Sequence, residues 1–146
     1  MYLKLLQIAI PFIWFGMVGA ISFMETPLKF RAPNITLTLG LGIGKIVFQM
    51  LNRIEIVFAV LMLGLLFFAR PAGVFAFYVF GAICVLLILQ TVWLLPLLVA
   101  RADQVIAGTT APAPKTHLIF IAFEVVKFIL LFILGASLLK DNLRFN

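Results

Sequence analysis

Apolar residues run along this chain in four long blocks separated by short polar breaks. A helix needs about 20 apolar residues, at about 1.5 Å rise each, to cross the hydrocarbon layer of a membrane. The first block covers residues 5–24. The third, 71–98, opens on Pro71, a residue suited to a first helical turn, and Pro96 is expected to perturb its end. The fourth, 117–139, is closed by the polar tail KDNLRFN. The second block is less simple. Only residues 56–69 are cleanly apolar, and counting back about 20 residues from Ala69 reaches Met50. That draws Asn52, Arg53 and Glu55 into or against the hydrocarbon. The apolar periodicity continues back through GKIVFQMLNRIEIVF, so the pattern predicts one long helix over about 40–69. Its N-terminal part is amphipathic and its crossing part is 50–69.

Backbone groups in lipid must be paired within the segment, so these blocks are helices. The short ARPAG link makes spans two and three a tight antiparallel hairpin. RADQVIAGTTAPAPKT reads as an exposed connection. The predicted fold is an all-α integral membrane four-helix bundle with antiparallel up-down spans, a single transmembrane domain over residues 1–146. An even number of spans puts both termini on one side, the terminal side; the 1–2 and 3–4 connections share the other, the loop side. A signal peptide is the competing reading of the first block, since Lys4 precedes it. The run is longer than a signal core and ETP is a poor cleavage context, so a retained span is expected.

Composition agrees with this pattern. The chain has 146 residues, 65% hydrophobic and 11% charged, with 16 Phe, and its mean hydropathy is +1.26. A soluble domain carries about a quarter charged residues, which excludes a soluble fold. The expected location is a multi-pass position in the plasma (inner) membrane. The net charge of +6 points to anionic head groups of the lipid bilayer, and no basic cluster resembles a nucleic-acid patch. Cys84, the one cysteine, reads as an apolar-packed thiol.

The polar residues that enter the spans fall on one side. Antiparallel order brings the C-terminal ends of spans one and three beside the N-terminal ends of spans two and four. Near those ends lie Glu25, Lys45, Gln49, Asn52, Arg53, Glu55, Gln90, His117, Glu124 and Lys127. Thr91 and Trp93 lie in the same part of span three. The terminal-side margin carries only Lys4, Arg70 and Lys140. Lys127 lies about 15 Å along the helix from His117, near the midplane. A lone Lys there costs roughly 2.5–3.5 kcal/mol, so it needs a partner. Glu124, three residues earlier on the same face, is the nearest, with Glu25 and Glu55 as the others. Glu25, Glu55 and Glu124 balance Lys45, Arg53 and Lys127, and these six are expected to form a neutral ionic network inside the bundle. Two readings stand side by side: a structural network that sets helix register, and a solute or proton site.

Other signals are weaker. Gly16 and Gly19 or Ala20, on a stripe with Phe12 and Phe23, suit close helix packing within the chain. TLGLGIGKIVF lacks the glycine spacing and the Ser or Thr of a phosphate loop. NIT at Asn34 is a glycosylation sequon, relevant only in a eukaryotic lumen. His117, the sole histidine, lacks the companion ligands that haem or metal would need, so it reads as interfacial, with a proton-relay role as the alternative, and no metal or other cofactor is expected. Trp14 and Trp93 suit interfacial and packing roles equally. No catalytic constellation can be assembled.

The stretches WFGMVGAISFMETPLKF and GKIVFQMLNRIEIVFAVLMLG resemble the transmembrane-protein-205-like family. The matching positions are Gly16, Gly19, Phe23, Pro27, Phe30, Phe48, Asn52 and Glu55; the later spans match only in length and hydrophobicity. Phe48, Asn52 and Glu55 share one helix face. The resemblance implies a small four-helix membrane domain of unknown function and says nothing firm about chemistry.

The leading expectation is a small, non-enzymatic polytopic membrane protein with a permease-like or assembly role centred on the polar cluster. In the permease version the three glutamates bind a cationic or protonatable solute, and four spans then call for a homo-oligomer. The alternatives are a membrane-embedded enzyme or redox subunit acting on a lipid or quinone, and a structural subunit of a larger membrane complex. Six Lys and Arg on the loop side against four on the terminal side place the loops in the cytoplasm. The count ties if Lys45 and Arg53 belong inside helix two.

Overall fold

The computed structural model describes residues 2–71, 73–109 and 115–143. They form four long helices: α1 Tyr2–Lys29, α2 Leu37–Phe68, α3 Phe75–Ile106 and α4 Lys115–Leu143. Each is long and apolar enough to cross a membrane. The chain is therefore a small all-α polytopic membrane protein. No strand occurs among the described residues.

Cross-helix contacts set the topology. Gln7 of α1 meets Leu65 of α2, and Trp14 meets Glu55, so these two helices run antiparallel. Lys45 of α2 meets Asp103 of α3, and Asn52 meets Thr91, with the same sense. Gln90 of α3 meets Glu124 of α4 while Gly73, just before α3, lies against Asp141. Ser22 of α1 meets Glu124, and Phe12 packs on Gly135, which closes the ring. The bundle is up-down without a crossover.

The terminal-side half holds a dry core that includes Trp14, Val18, Met62, Leu66, Ile83 and Leu134. Phenylalanines line the α1–α4 seam, where Phe15 and Phe128 stack with ring centres 3.9 Å apart. Phe128 also fills the space beside Gly19, where a Cβ would stand 2.9 Å from the ring. Of the predicted small-residue stripe only Gly19 makes such an approach; Gly16 has nothing within 4 Å. The outer surface exposes large apolar side chains such as Leu63, Phe67, Tyr78 and Val92, the exterior that a hydrocarbon solvent requires.

Three boundaries differ from expectation. The bend at Gly73 and Val74 delays the third helix to Phe75, so Pro71 does not open it. Arg101–Ile106, read as a linker, continues α3. The proline-rich rest of that linker, 110–114, and the tail 144–146 lie outside the described residues. α2 begins at Leu37, capped by Thr36, whose hydroxyl accepts from the Leu39 N–H at 3.2 Å.

The placement of two prolines matters most. Pro96 was expected to perturb the end of span three, and Pro27 lay beyond the predicted end of span one, yet both lie inside continuous helices. Each follows a π-helical segment, Gly19–Glu25 in α1 and Gln90–Leu94 in α3. A proline inside a helix lacks an N–H and crowds the carbonyl four residues back. Those carbonyls belong to Phe23 and Val92, within the two wide segments. Widening the turn absorbs the conflict and lets the helix continue. The Thr26 N–H bonds the Ile21 carbonyl and the Leu95 N–H bonds the Gln90 carbonyl, five residues back in each case.

Candidate functional site: a buried polar cluster

Lys127 is fully buried at 0% exposure, and Glu55 and Glu124 are each 2% exposed. The Lys127 Nζ lies 2.6 Å from Glu55 Oε1 and 2.6 Å from Glu124 Oε1. It also donates to Gln90 Oε1 at 2.7 Å. An ammonium has three N–H groups, and all three are engaged, by acceptors from α2, α3 and α4.

α1 completes the ring of partners. Trp14 Nε1 donates to Glu55 Oε1 at 2.9 Å. The Ser22 hydroxyl donates to Glu124 Oε2 at 2.6 Å. Gln90 Nε2 donates to Glu124 Oε1 at 2.6 Å, so its amide bonds cation and carboxylate at once. Beside it, Asn52 Nδ2 donates to Thr91 Oγ1 at 2.8 Å, and that hydroxyl donates to the Leu87 carbonyl at 2.7 Å. Ser22, Gln90 and Thr91 all stand on the two π segments. The extra residue in each segment shifts the rotational phase of the side chains beyond it relative to those before it.

The ten residues singled out in the sequence separate into two groups. Glu55, Gln90, Glu124 and Lys127 come together, with Asn52 beside them. The other five lie apart. Glu25 pairs with Lys29 at 3.5 Å, and Lys45 with Asp103 at 2.6 Å. Gln49 is half-buried away from the cluster, while Arg53 and His117 are exposed. The six-membered neutral network is therefore corrected to three ions, Glu55, Glu124 and Lys127, with one excess negative charge when all are ionised. Helix geometry gives the reason. Arg53 precedes Glu55 by two residues, about 200° of rotation, and so faces the opposite way. Its long stem allows the guanidinium to reach toward the interface. Lys45 lies about 15 Å along α2 from Glu55, beyond reach of the cluster.

Sequence reasoning missed Ser22 and treated Trp14 only as an interfacial or packing residue. The overlooked signal in span three was Pro96, a proline within an unbroken apolar run; Pro27, set between Thr26 and Lys29, gives no such signal.

On the loop side of the cluster, Phe48 of α2 and Phe120 of α4 meet edge to face with ring centres 5.4 Å apart. Each stands one turn before a cluster residue, Asn52 and Glu124 respectively. Beyond them opens a cavity of about 620 Å³ between α2, α3 and the loop-side ends of α1 and α4. On the terminal side the cluster meets the dry core.

No family model, curated protein or solved structure matches this chain.

Proposed function

We propose that this chain is a small, non-enzymatic, permease-like protein of the plasma (inner) membrane. In this reading Glu55 and Glu124 hold a proton or small cation exchanged with the loop-side cavity, and the protein works as a homo-oligomer. The observation that carries it is the ratio of charges. Two buried carboxylates share one buried ammonium. Fixing helix register requires one ion pair; the second carboxylate adds an uncompensated charge in a medium where such a charge costs several kcal/mol. A proton or cation on the pair removes that cost. The aromatic pair and the cavity supply one short route to the cluster, and the dry core closes the other. The resemblance of the first two spans to the transmembrane-protein-205-like family belongs to this proposal as the expected kinship of the bundle.

An assembly role is the second reading, favoured by the complete saturation of the Lys127 donors, which suits a static clamp. Infrared difference spectra of the purified protein, taken between acid and alkaline pH, separate the two. Exchange predicts a carboxyl band that titrates and that Glu55→Gln or Glu124→Gln diminishes. A cluster whose carboxyl absorption stays constant over the pH range in which the fold persists rejects the permease reading and leaves the clamp.

A further inference from the structure

The loop-side cavity has a chemistry of its own. Its basic lining comes from Lys29, Lys45, Arg101 and His117, with Thr26 and Thr109 as further polar side chains, and no carboxylate lines it among the described residues. The rest is apolar, with Phe30, Phe48 and Phe120 prominent. Glycines on α2 admit two of these side chains: Phe30 lies directly on Gly40, and a Cβ at Gly44 would stand 2.8 Å from Lys29 Nζ. The Lys29 side chain is thereby 9% exposed, with its ammonium 5.6 Å and 5.8 Å from the rings of Phe30 and Phe48.

Charge does not balance here. Lys29 and Lys45 have carboxylate partners in Glu25 and Asp103. Arg101 has none among the described residues. Its Nε is sealed from solvent and has no hydrogen-bond acceptor, a state otherwise unseen among the described buried side-chain polar atoms. Buried donors in folded proteins are nearly always satisfied. Arg101, a guanidinium with no carboxylate partner among the described residues, lines a mostly apolar cavity of ligand size, and that combination suits an acceptor that carries one negative charge and an apolar tail.

We infer that the cavity is a binding site for one anionic phospholipid of the loop-side leaflet. Its phosphodiester is held by Arg101 with Lys29 and Lys45 at the rim, and an acyl chain lies along Phe30, Phe48 and Phe120. The lipid would share the cavity proposed as the route to Glu55 and Glu124, and its retention is measured separately from exchange there.

The test is native mass spectrometry of the intact chain released from nanodiscs containing equal phosphatidylglycerol and phosphatidylcholine. One phosphatidylglycerol per chain is expected to survive release, in roughly fivefold or greater preference over phosphatidylcholine, the effect of about one interfacial cation. Arg101→Gln should bring the two lipids close to parity. Val99→Phe fills the cavity wall while keeping every cation, and should abolish retention of both. Glu124→Gln should leave retention unchanged, which separates this site from the cluster. Equal retention of the two lipids by the unaltered chain overturns the inference, as does undiminished phosphatidylglycerol on the Val99→Phe protein, because the lipid would then sit on the outer surface.

Discussion

Lys127 of α4 reaches across the bundle to Glu55 of α2 at 2.6 Å, the same distance it keeps to Glu124 on its own helix. The contact within α4 follows from a three-residue spacing. The contact across the bundle exists only because two helices present these groups at one depth.

Removing the cation should be severe. Lys127→Met leaves two carboxylates facing each other without a counter-ion, and breaking a buried pair costs about 3–5 kcal/mol. The triple variant Lys127→Met, Glu55→Gln, Glu124→Gln removes the charge imbalance and should recover most of that loss. Chemical unfolding in detergent measures both; a triple variant no more stable than the single one contradicts this account of the cluster.

Trp14→Phe keeps most of the aromatic volume and deletes one N–H donor to Glu55. Hydrogen bonds to charged groups are worth about 1.5–3 kcal/mol, so a loss in that range is expected. Trp93→Phe alters an exposed ring and should stay within about 0.5 kcal/mol. Equal effects at the two tryptophans would show that the Trp14 bond contributes nothing.

Pro96→Ala offers a test with an unusual sign. Proline inside a helix costs about 3 kcal/mol, so its removal should ordinarily stabilise. Here it allows the Gln90–Leu94 segment to relax to regular α-helix, which turns Gln90 by about 100° away from Lys127 and Glu124. We expect net destabilisation and, in the infrared spectrum, altered carboxylate bands. A gain in stability with unchanged carboxylate bands would mean that the proline does not hold the π turn.

Gly135 and Gly16 form a matched pair. A Cβ at Gly135 would stand 2.8–3.1 Å from the Phe12 ring, whereas one at Gly16 meets nothing within 4 Å. Gly135→Ala should destabilise by about 1–3 kcal/mol through overpacking. Gly16→Ala should be neutral or stabilising by up to about 1 kcal/mol from helix propensity. Thermal unfolding of the two variants side by side reads the difference.

Part of the site was legible in the residues alone. Glu124 and Lys127 announced themselves, because a charge placed in an apolar run must find a partner. Glu55 and Gln90 followed from antiparallel order, which brings the late part of span three beside the early parts of spans two and four. Arg53 and Lys45 were misplaced because depth along a helix was weighed without rotation around it. Ser22 went unnoticed because a serine in an apolar span has no obligatory partner and its direction depends on the π segment that carries it.

The sequence by itself determined the solvent, the number of spans and the up-down order, since apolar length and the hydrogen-bonding needs of backbone in lipid leave few alternatives. It also determined that the polar residues gather toward one side. Only the tertiary structure decided which of them meet. Rotation accumulates along a helix by about 100° per residue, and a single π segment resets the phase of everything beyond it. Which carboxylates face Lys127, and which cation is left without an acceptor in the cavity, are outcomes of that phase once four helices are packed together.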